Sequence, residues 1–496
     1  MKPRGDYIDG KFVKRKKSDG ELVSPRPADG GASKVSFPTA EVALAEALFA
    51  ARRAFVAWAA AGSDVRSNAL RRLQAQLRNR TDDLIAVLSQ ETGRPIWDAR
   101  DEIQTMLAET DGLLRLGAER LLDQLSTPPG STTRHVPVGV VGLITPFVQP
   151  LWLMHADAVA ALATGCCVVC KPSWRTPACA QLYAEIIDEA DLPAGTFNLV
   201  LGDDGVGEHL AASAECDVLL FAGSAQVGLK LRQSACQNPQ RGLRTLVSAA
   251  STAIVAADAD LEQAAYQVAL GAALTTGQRC SSTRRVIVEQ RVAEPFGNRL
   301  REILAGLRVG PPASASSFMG PLIDAASAQR YATLVEELER SARLHLRGTR
   351  LAELSSGNYV TPTLFEVSQG FDRTSLSPDA LGPLLCFERA ENAEHASQLV
   401  RRDPCGLALA IFSRTPGQFA ELLSSPPAGL LLENAPTTFW PGRIPLRPVG
   451  RAGYGGWGIE TLAHCTRRVA EVHHAAAFDS TMLPPGMPLP PVASGA

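Results

Sequence analysis

Cys280 is the residue best placed for covalent chemistry. It follows Gly277-Gln278-Arg279 and precedes Ser281-Ser282, a polar loop just ahead of an apolar run at Arg285 to Val288. A thiol on an accessible loop beside an arginine can be raised as a thiolate nucleophile, because the cation favours the charged form. Three other turns suit phosphate: Lys171-Pro172-Ser173, the run Gly202-Asp203-Asp204-Gly205-Val206-Gly207, and Phe221-Ala222-Gly223-Ser224. Each follows an apolar stretch, and the last two lead into helical patterns whose first N–H groups can receive a pyrophosphate. None has the usual dinucleotide spacing, so each also reads as an ordinary tight turn. Cys166, Cys167, Cys170 and Cys179 contain one Cys-x-x-Cys spacing without a second pair, and read as small buried side chains rather than a metal centre. His155 lies in an apolar helical pattern and reads as a hydrogen-bonded structural residue rather than a base. No metal site is expected.

The elements that must position these residues are legible from periodicity. Tyr7-Ile8 and Lys11-Phe12 flank Asp9-Gly10, a hairpin signal. Leu44, Leu48, Ala51, Phe55 and Trp58 share one helical face. Leu70, Leu73 and Leu77 mark a second helix, Thr81 is the expected cap of a third, and a fourth runs from about Ile96 to Leu122. Apolar strands then alternate with helices: Val138 to Ile144, Cys167 to Cys170, Phe197 to Leu201, Val218 to Phe221 and Ala253 to Val255, the last leading into a helix capped near Asp258. This is the pattern of an α/β fold with a parallel sheet covered on both faces, and its ligands belong at the C-terminal strand ends. After Gly277 the alternation continues, implying a second α/β domain. The proline-dense end at 481–496 is expected to be disordered.

With 496 residues, 45% of them hydrophobic, the chain is long enough for two or three domains. Forty-nine basic against 51 acidic residues give a formal charge of -2, which gives no reason to expect nucleic-acid binding. The basic start lacks the apolar core of a secretion signal, and no stretch reads as a membrane span. Ten cysteines in so long a chain suggest a reducing, cytoplasmic setting.

Taken in order, these motifs resemble the NAD(P)-dependent aldehyde dehydrogenase superfamily over residues 7–478, within it the bacterial succinylglutamate-semialdehyde dehydrogenases. Ile144-Thr-Pro-Phe-Val-Gln-Pro150, Lys171-Pro-Ser173, Gly202 to Gly207, Phe221 to Ser224, Gly277 to Ser282, Gly382-Pro-Leu-Leu385 and Asp403-Pro-Cys-Gly-Leu407 carry the likeness. It implies a Rossmann-like cofactor domain (1–115 and 137–248), a catalytic thiol domain (249–435), and a β oligomerisation element (116–136 and 455–478). It also implies a dimer or tetramer, a small aldehyde as substrate (an acidic semialdehyde in the succinylglutamate branch), and NAD or NADP held by Lys171, Ser173, Trp174, Gly202, Gly207, Gly223, Ser224 and Asp379. Cys280 would form a thiohemiacetal and then a thioester.

The chain departs from the family at the supporting positions. The oxyanion asparagine falls at Val148, which has no proton to donate, leaving Gln149 as the replacement donor. The water-activating glutamate falls at Leu246, the carboxylate after Lys-Pro-Ser at Trp174, and the nicotinamide-ribose glutamate at Asp379. Three readings stay open: an aldehyde oxidoreductase with altered support chemistry, a catalytically impaired member with a scaffolding or ligand-sensing role, and an acylating enzyme that releases its product to coenzyme A.

Overall fold

The structure, a computed structural model, describes residues 2–14, 18–116, 131–238, 240–351, 353–354, 357–367, 382–402, 406–440, 444–472, 484 and 486–487. Asp379, Asp403, the whole 117–130 segment and nearly all of the proline-dense end lie outside them.

Four helices come first: Ala43–Ala60, Ser63–Asn79, Thr81–Thr92 and Ile96–Leu116. Leu44, Leu48, Ala51 and Trp58 are buried on the expected face of the first, as are Leu70, Leu73 and Leu77 on the second. Thr81 is not a cap. It sits inside the third helix, and its hydroxyl donates back to the Leu77 carbonyl at 3.2 Å. Asp258 is likewise not the cap of the helix Leu261–Ala273. Asp260 takes that place, accepting from the Gln263 N–H at 3.0 Å, while Asp258 accepts from Ser413 Oγ at 2.9 Å.

An eight-stranded sheet then forms in the order Gly453–Tyr454, Gly242–Val247, Val218–Gly223, Val140–Ile144, Cys167–Lys171, Phe197–Leu199, Tyr7–Ile8, Lys11–Phe12. Its five middle strands are parallel. The expected hairpin adds the antiparallel edge at one side. The order reverses between Val140–Ile144 and Val218–Gly223, and the crevice outside such a reversal is where open α/β sheets bind ligands.

The second sheet has seven strands, in the order Arg343–Leu346, Thr363–Glu366, Leu384–Ala390, Thr283–Glu289, Ser251–Val255, Gly406–Phe412, Ala428–Glu433. All but the first pair run parallel. The strands Ser251–Val255 and Gly406–Phe412 are buried throughout and mostly apolar, as a sheet covered on both faces requires. A separate antiparallel pair joins Ser131–Pro137 to Thr466–Val472. Among the described residues no helix is long and apolar enough to cross a membrane.

Candidate active site

At the point of reversal the strand ends Ile144 and Lys171 lie side by side, with Phe221 on the other side of Ile144. The chain leaves Ile144 through Thr145-Pro146-Phe147-Val148 and leaves Gly223 through Ser224. Both exits line one cavity of about 730 Å³. Lys171 is only 3% exposed, and burial lowers its pKa, with Asp204 and Asp203 opposing that shift through their negative field. Gly207 faces it: a Cβ there would stand 3.9 Å from the ammonium. Ser224 caps the helix Ala225–Ala235, its Oγ accepting from the Val227 N–H at 3.3 Å. Ser173, Trp174 and Gly223 also line the cavity. The Trp174 ring lies 4.2 Å from the guanidinium carbon of Arg175, which is held by Asp324 at 2.7 Å. Gly202 does not line it. A Cβ on Gly202 would meet Val206 at 2.4 Å, so its part is in closing the turn.

The thiol enters from the second sheet. Before it, Thr275, Thr276 and Gly277 take φ values of 55°, 56° and 64°. For two β-branched residues this is a strained conformation, retained only where neighbours over-determine it. Thr275 Oγ1 accepts from Arg279 Nε at 2.8 Å, and Thr276 Oγ1 donates to the Gly320 carbonyl at 3.0 Å. Gly277 is packed so closely that a Cβ would stand 2.2 Å from the Gly382 carbonyl oxygen. From the far side, Thr437 Oγ1 donates to the Ser281 carbonyl at 2.7 Å.

Cys280 emerges at a junction. It lines the large cavity and also a second, small pocket, and Leu153 and Leu246 are the other residues common to both. Val148 borders the large cavity, Gln149 the small pocket. Gln149 is buried and left-handed (φ 49°) at the start of the helix Pro150–Thr164. The anticipated thiolate is not favoured here. Burial pushes the Cys280 thiol up to about 11, outweighing Arg279 and the N–H groups of Cys280 and Ser281. The residue keeps partial exposure because cavities open at it, yet protein atoms surround the sulfur closely enough to disfavour charge. The apo protein should therefore alkylate slowly at neutral pH. Its iodoacetamide rate at Cys280 is expected to climb about tenfold per pH unit from 7 to 10 and level off above about 11. A plateau already reached by pH 8 would contradict this.

Arg279 is committed elsewhere. Its guanidinium meets Asp98 at 2.9 Å and Asp101 at 3.4 Å. Asp98 also receives Arg94 at 2.7 Å, and Arg94 bonds to Glu102. Burial opposes charge on Asp98, but Arg94 and Arg279 outweigh it and hold its carboxyl down to about 2. Glu102 Oε1 accepts from the N–H groups of Leu151 and Trp152 at 3.0 Å each. One buried ionic cluster thus fixes the thiol loop and the start of the helix after Gln149. Sequence reasoning missed it, although Arg94, Asp98 and Glu102 recur at intervals of four. It also missed Glu208, one residue past Gly207 on the cavity wall.

His155 is structural as expected. It is fully buried, bonded to Thr110 and Tyr183, and burial pushes its pKa down to about 3. Cys166, Cys167, Cys170 and Cys179 are buried, and burial raises each thiol pKa. Arg447 bonds to Glu460 at 3.0 Å and lines neither cavity at the thiol.

The family model described as "Aldehyde dehydrogenase family" matches residues 12–472. This chain belongs to the aldehyde dehydrogenase family. It is 31% identical to an N-succinylglutamate 5-semialdehyde dehydrogenase of Sphingopyxis alaskensis over 442 residues, covering 87% of this chain and 90% of the relative. To a 1-pyrroline-5-carboxylate dehydrogenase of a Geobacillus species it is 30% identical, covering 80% and 78%. Among solved structures, lactaldehyde dehydrogenase from Escherichia coli superposes with a TM-score of 0.86 at 27% identity, covering 95% of this chain and 98% of that one. Members of the aldehyde dehydrogenase family use NAD(P), and similar structures have been solved with NAD bound.

Proposed function

We propose that the protein oxidises an aldehyde with NAD or NADP through Cys280. The carrying observation is the junction: one thiol borders both a cofactor-sized cavity at the strand-order reversal and a separate small pocket. The cavity's residues fit the cofactor. Lys171 presents a buried ammonium toward groups that can accept from it, Ser173 and Trp174 extend the same wall, and Gly207, Gly223 and Ser224 leave backbone open at two helix starts. Glu208 lines the same cavity and is the carboxylate available there in place of the one that Trp174 lacks. Asp379, assigned to the second ribose, lies outside the described residues.

When bound, NAD(P) would supply the hydride acceptor. Cys280 Sγ gives its proton to solvent water in the cavity and bonds to the aldehyde carbon, placing negative charge on the carbonyl oxygen. Gln149 is the side-chain donor for that oxygen, in place of Val148, and the Cys280 N–H is the backbone donor. With that acceptor bound, the carbon's hydrogen would leave to it as hydride, and the thioester left on Cys280 would be cleaved by water to the acid and the free thiol. Leu246, 5% exposed at the junction, cannot accept the water's proton, so release of the acyl group is the slow step. NAD(P)H formation by the full-length protein across a panel of aldehydes tests this reading. Absorbance growing with aldehyde and cofactor, and accelerated where coenzyme A takes the acyl group, is the expected result. No NAD(P)H with any aldehyde would overturn it in favour of a scaffolding or ligand-sensing role.

Self-assembly belongs to the same proposal. Among the described residues Ala428–Glu433 is an edge strand of the seven-stranded sheet and Thr466–Val472 pairs only with Ser131–Pro137, which leaves strand edges for a second copy to cover. Light scattering should give at least a dimer across a wide concentration range. A persistent 52.7 kDa species would contradict it.

A further inference from the structure

The two sides of Cys280 differ greatly in room. The small pocket holds about 40 Å³, against about 730 Å³ on the other side. On that scale one water needs about 10–15 Å³, so the pocket takes roughly three or four non-hydrogen atoms. Its wall is a cluster of three indoles. Trp152 and Trp457 have centroids 5.1 Å apart, Trp440 and Trp457 4.7 Å, and Trp152 and Trp440 6.1 Å, all edge to face. Such packing resists displacement by a longer chain.

Charge excludes a second group of substrates. Arg279 is the pocket's one charged residue, and its guanidinium is engaged by Asp98 and Asp101. A carboxylate entering would be buried without a partner, which strongly disfavours it. Hydrogen bonding selects within what remains. Trp440 Nε1, Trp457 Nε1 and Thr438 Oγ1 are buried around the pocket with no partner among the described residues. Trp457 is 2% exposed and Thr438 6%. Indole N–H groups can only donate, and buried donors left unsatisfied are costly, so a ligand oxygen there is strongly favoured.

We infer that the pocket is built for a compact, uncharged two-carbon aldehyde bearing a hydroxyl, with Trp152, Trp440 and Trp457 setting the size limit and the free indole N–H groups reading the oxygen. Acidic semialdehydes, for which the relatives above are named, do not fit. The inference rests on the proposed use of Cys280 as nucleophile.

Binding can be read without turnover. Glycolaldehyde, propanal, pentanal and succinic semialdehyde are each tested for protection of Cys280 against iodoacetamide, in the whole protein without cofactor. NAD(P)H formation is followed in parallel. Glycolaldehyde should protect at least tenfold better than succinic semialdehyde and severalfold better than propanal. Trp440→Ala should admit pentanal but still refuse succinic semialdehyde. Trp440→Phe should narrow the glycolaldehyde preference over propanal by about fivefold, as loss of one donor predicts. Trp440 is half-buried on a loop, which makes it the safer position to vary. Equal protection by succinic semialdehyde, or no protection by any aldehyde, overturns the inference. The expected order without NAD(P)H would leave it standing and sink the oxidation instead. NAD(P)H from succinic semialdehyde alone would do the reverse.

Discussion

With Cys280 replaced by alanine, NAD(P)H formation is expected to fall to background, a loss of at least about 10⁴-fold, because the covalent step has no other nucleophile at the junction. Ser281 follows in sequence, but it borders only the small pocket, whereas Cys280 borders both. The complementary variant is Val148→Asn with Leu246→Glu. Restoring a donor and a base should raise water-dependent turnover by ~10²-fold or more, since each kind of assistance contributes on that order. Leu246 is buried, so a glutamate there would have its pKa raised toward the range of a general base. Coenzyme A should then lose its accelerating effect, as water would no longer limit acyl release. Turnover that survives in the alanine variant would remove the thiol from the mechanism. Turnover unchanged in the double variant would show that another group already does the work assigned to those positions.

Asp98→Ala should cost about 3–5 kcal/mol, because it removes the carboxylate shared by two buried guanidiniums and leaves Arg94 with Glu102 and Arg279 with the half-exposed Asp101 alone. Arg94 is 3% exposed and Arg279 7%, so neither can reach water without a rearrangement. A loss of that size is a large share of the stability of a typical domain, about 5–15 kcal/mol. Urea unfolding followed by tryptophan fluorescence should show the midpoint falling sharply, with Cys280 alkylating faster in the same variant. Asp98→Asn should lie between, since it keeps acceptor geometry without the charge. A midpoint within error of wild type would mean that Arg94 and Arg279 are satisfied without Asp98.

How far the sequence was legible depended on the kind of signal. Strands such as Cys167–Lys171 and Val218–Gly223 are short, continuous apolar runs between turns, and their parallel pairing follows from that pattern. The phosphate-compatible turns were legible because they follow those strands. The strand Gly242–Val247, which carries Leu246, escaped notice because Arg244 interrupts its apolar run. That arginine is buried only because Asp157, on another element, pairs with both its terminal nitrogens at 2.6 Å. The same holds for the thiol. A loop rich in Gly, Gln, Arg and Ser reads as exposed, and nothing local reveals that Asp98, Gly320 and Thr437 close around it. Helix caps failed for a smaller reason, since Thr81 and Arg80 compete for one boundary position and the threonine bonds backwards instead.

The residues that hold Cys280 are distant along the chain: Asp98 is 181 positions from Arg279, and Thr437 is 156 from Ser281. Contacts closed over such lengths are poorly formed until the segments they join are already assembled. The strained turn at Thr275-Thr276 has no local reason to form before then. Thiol burial is therefore expected to come late in folding, once the helical first segment and both sheets have met. In a chain that has not yet closed these contacts, Cys280 is expected to be solvated and more open to oxidants than in the finished fold, which shields its own nucleophile.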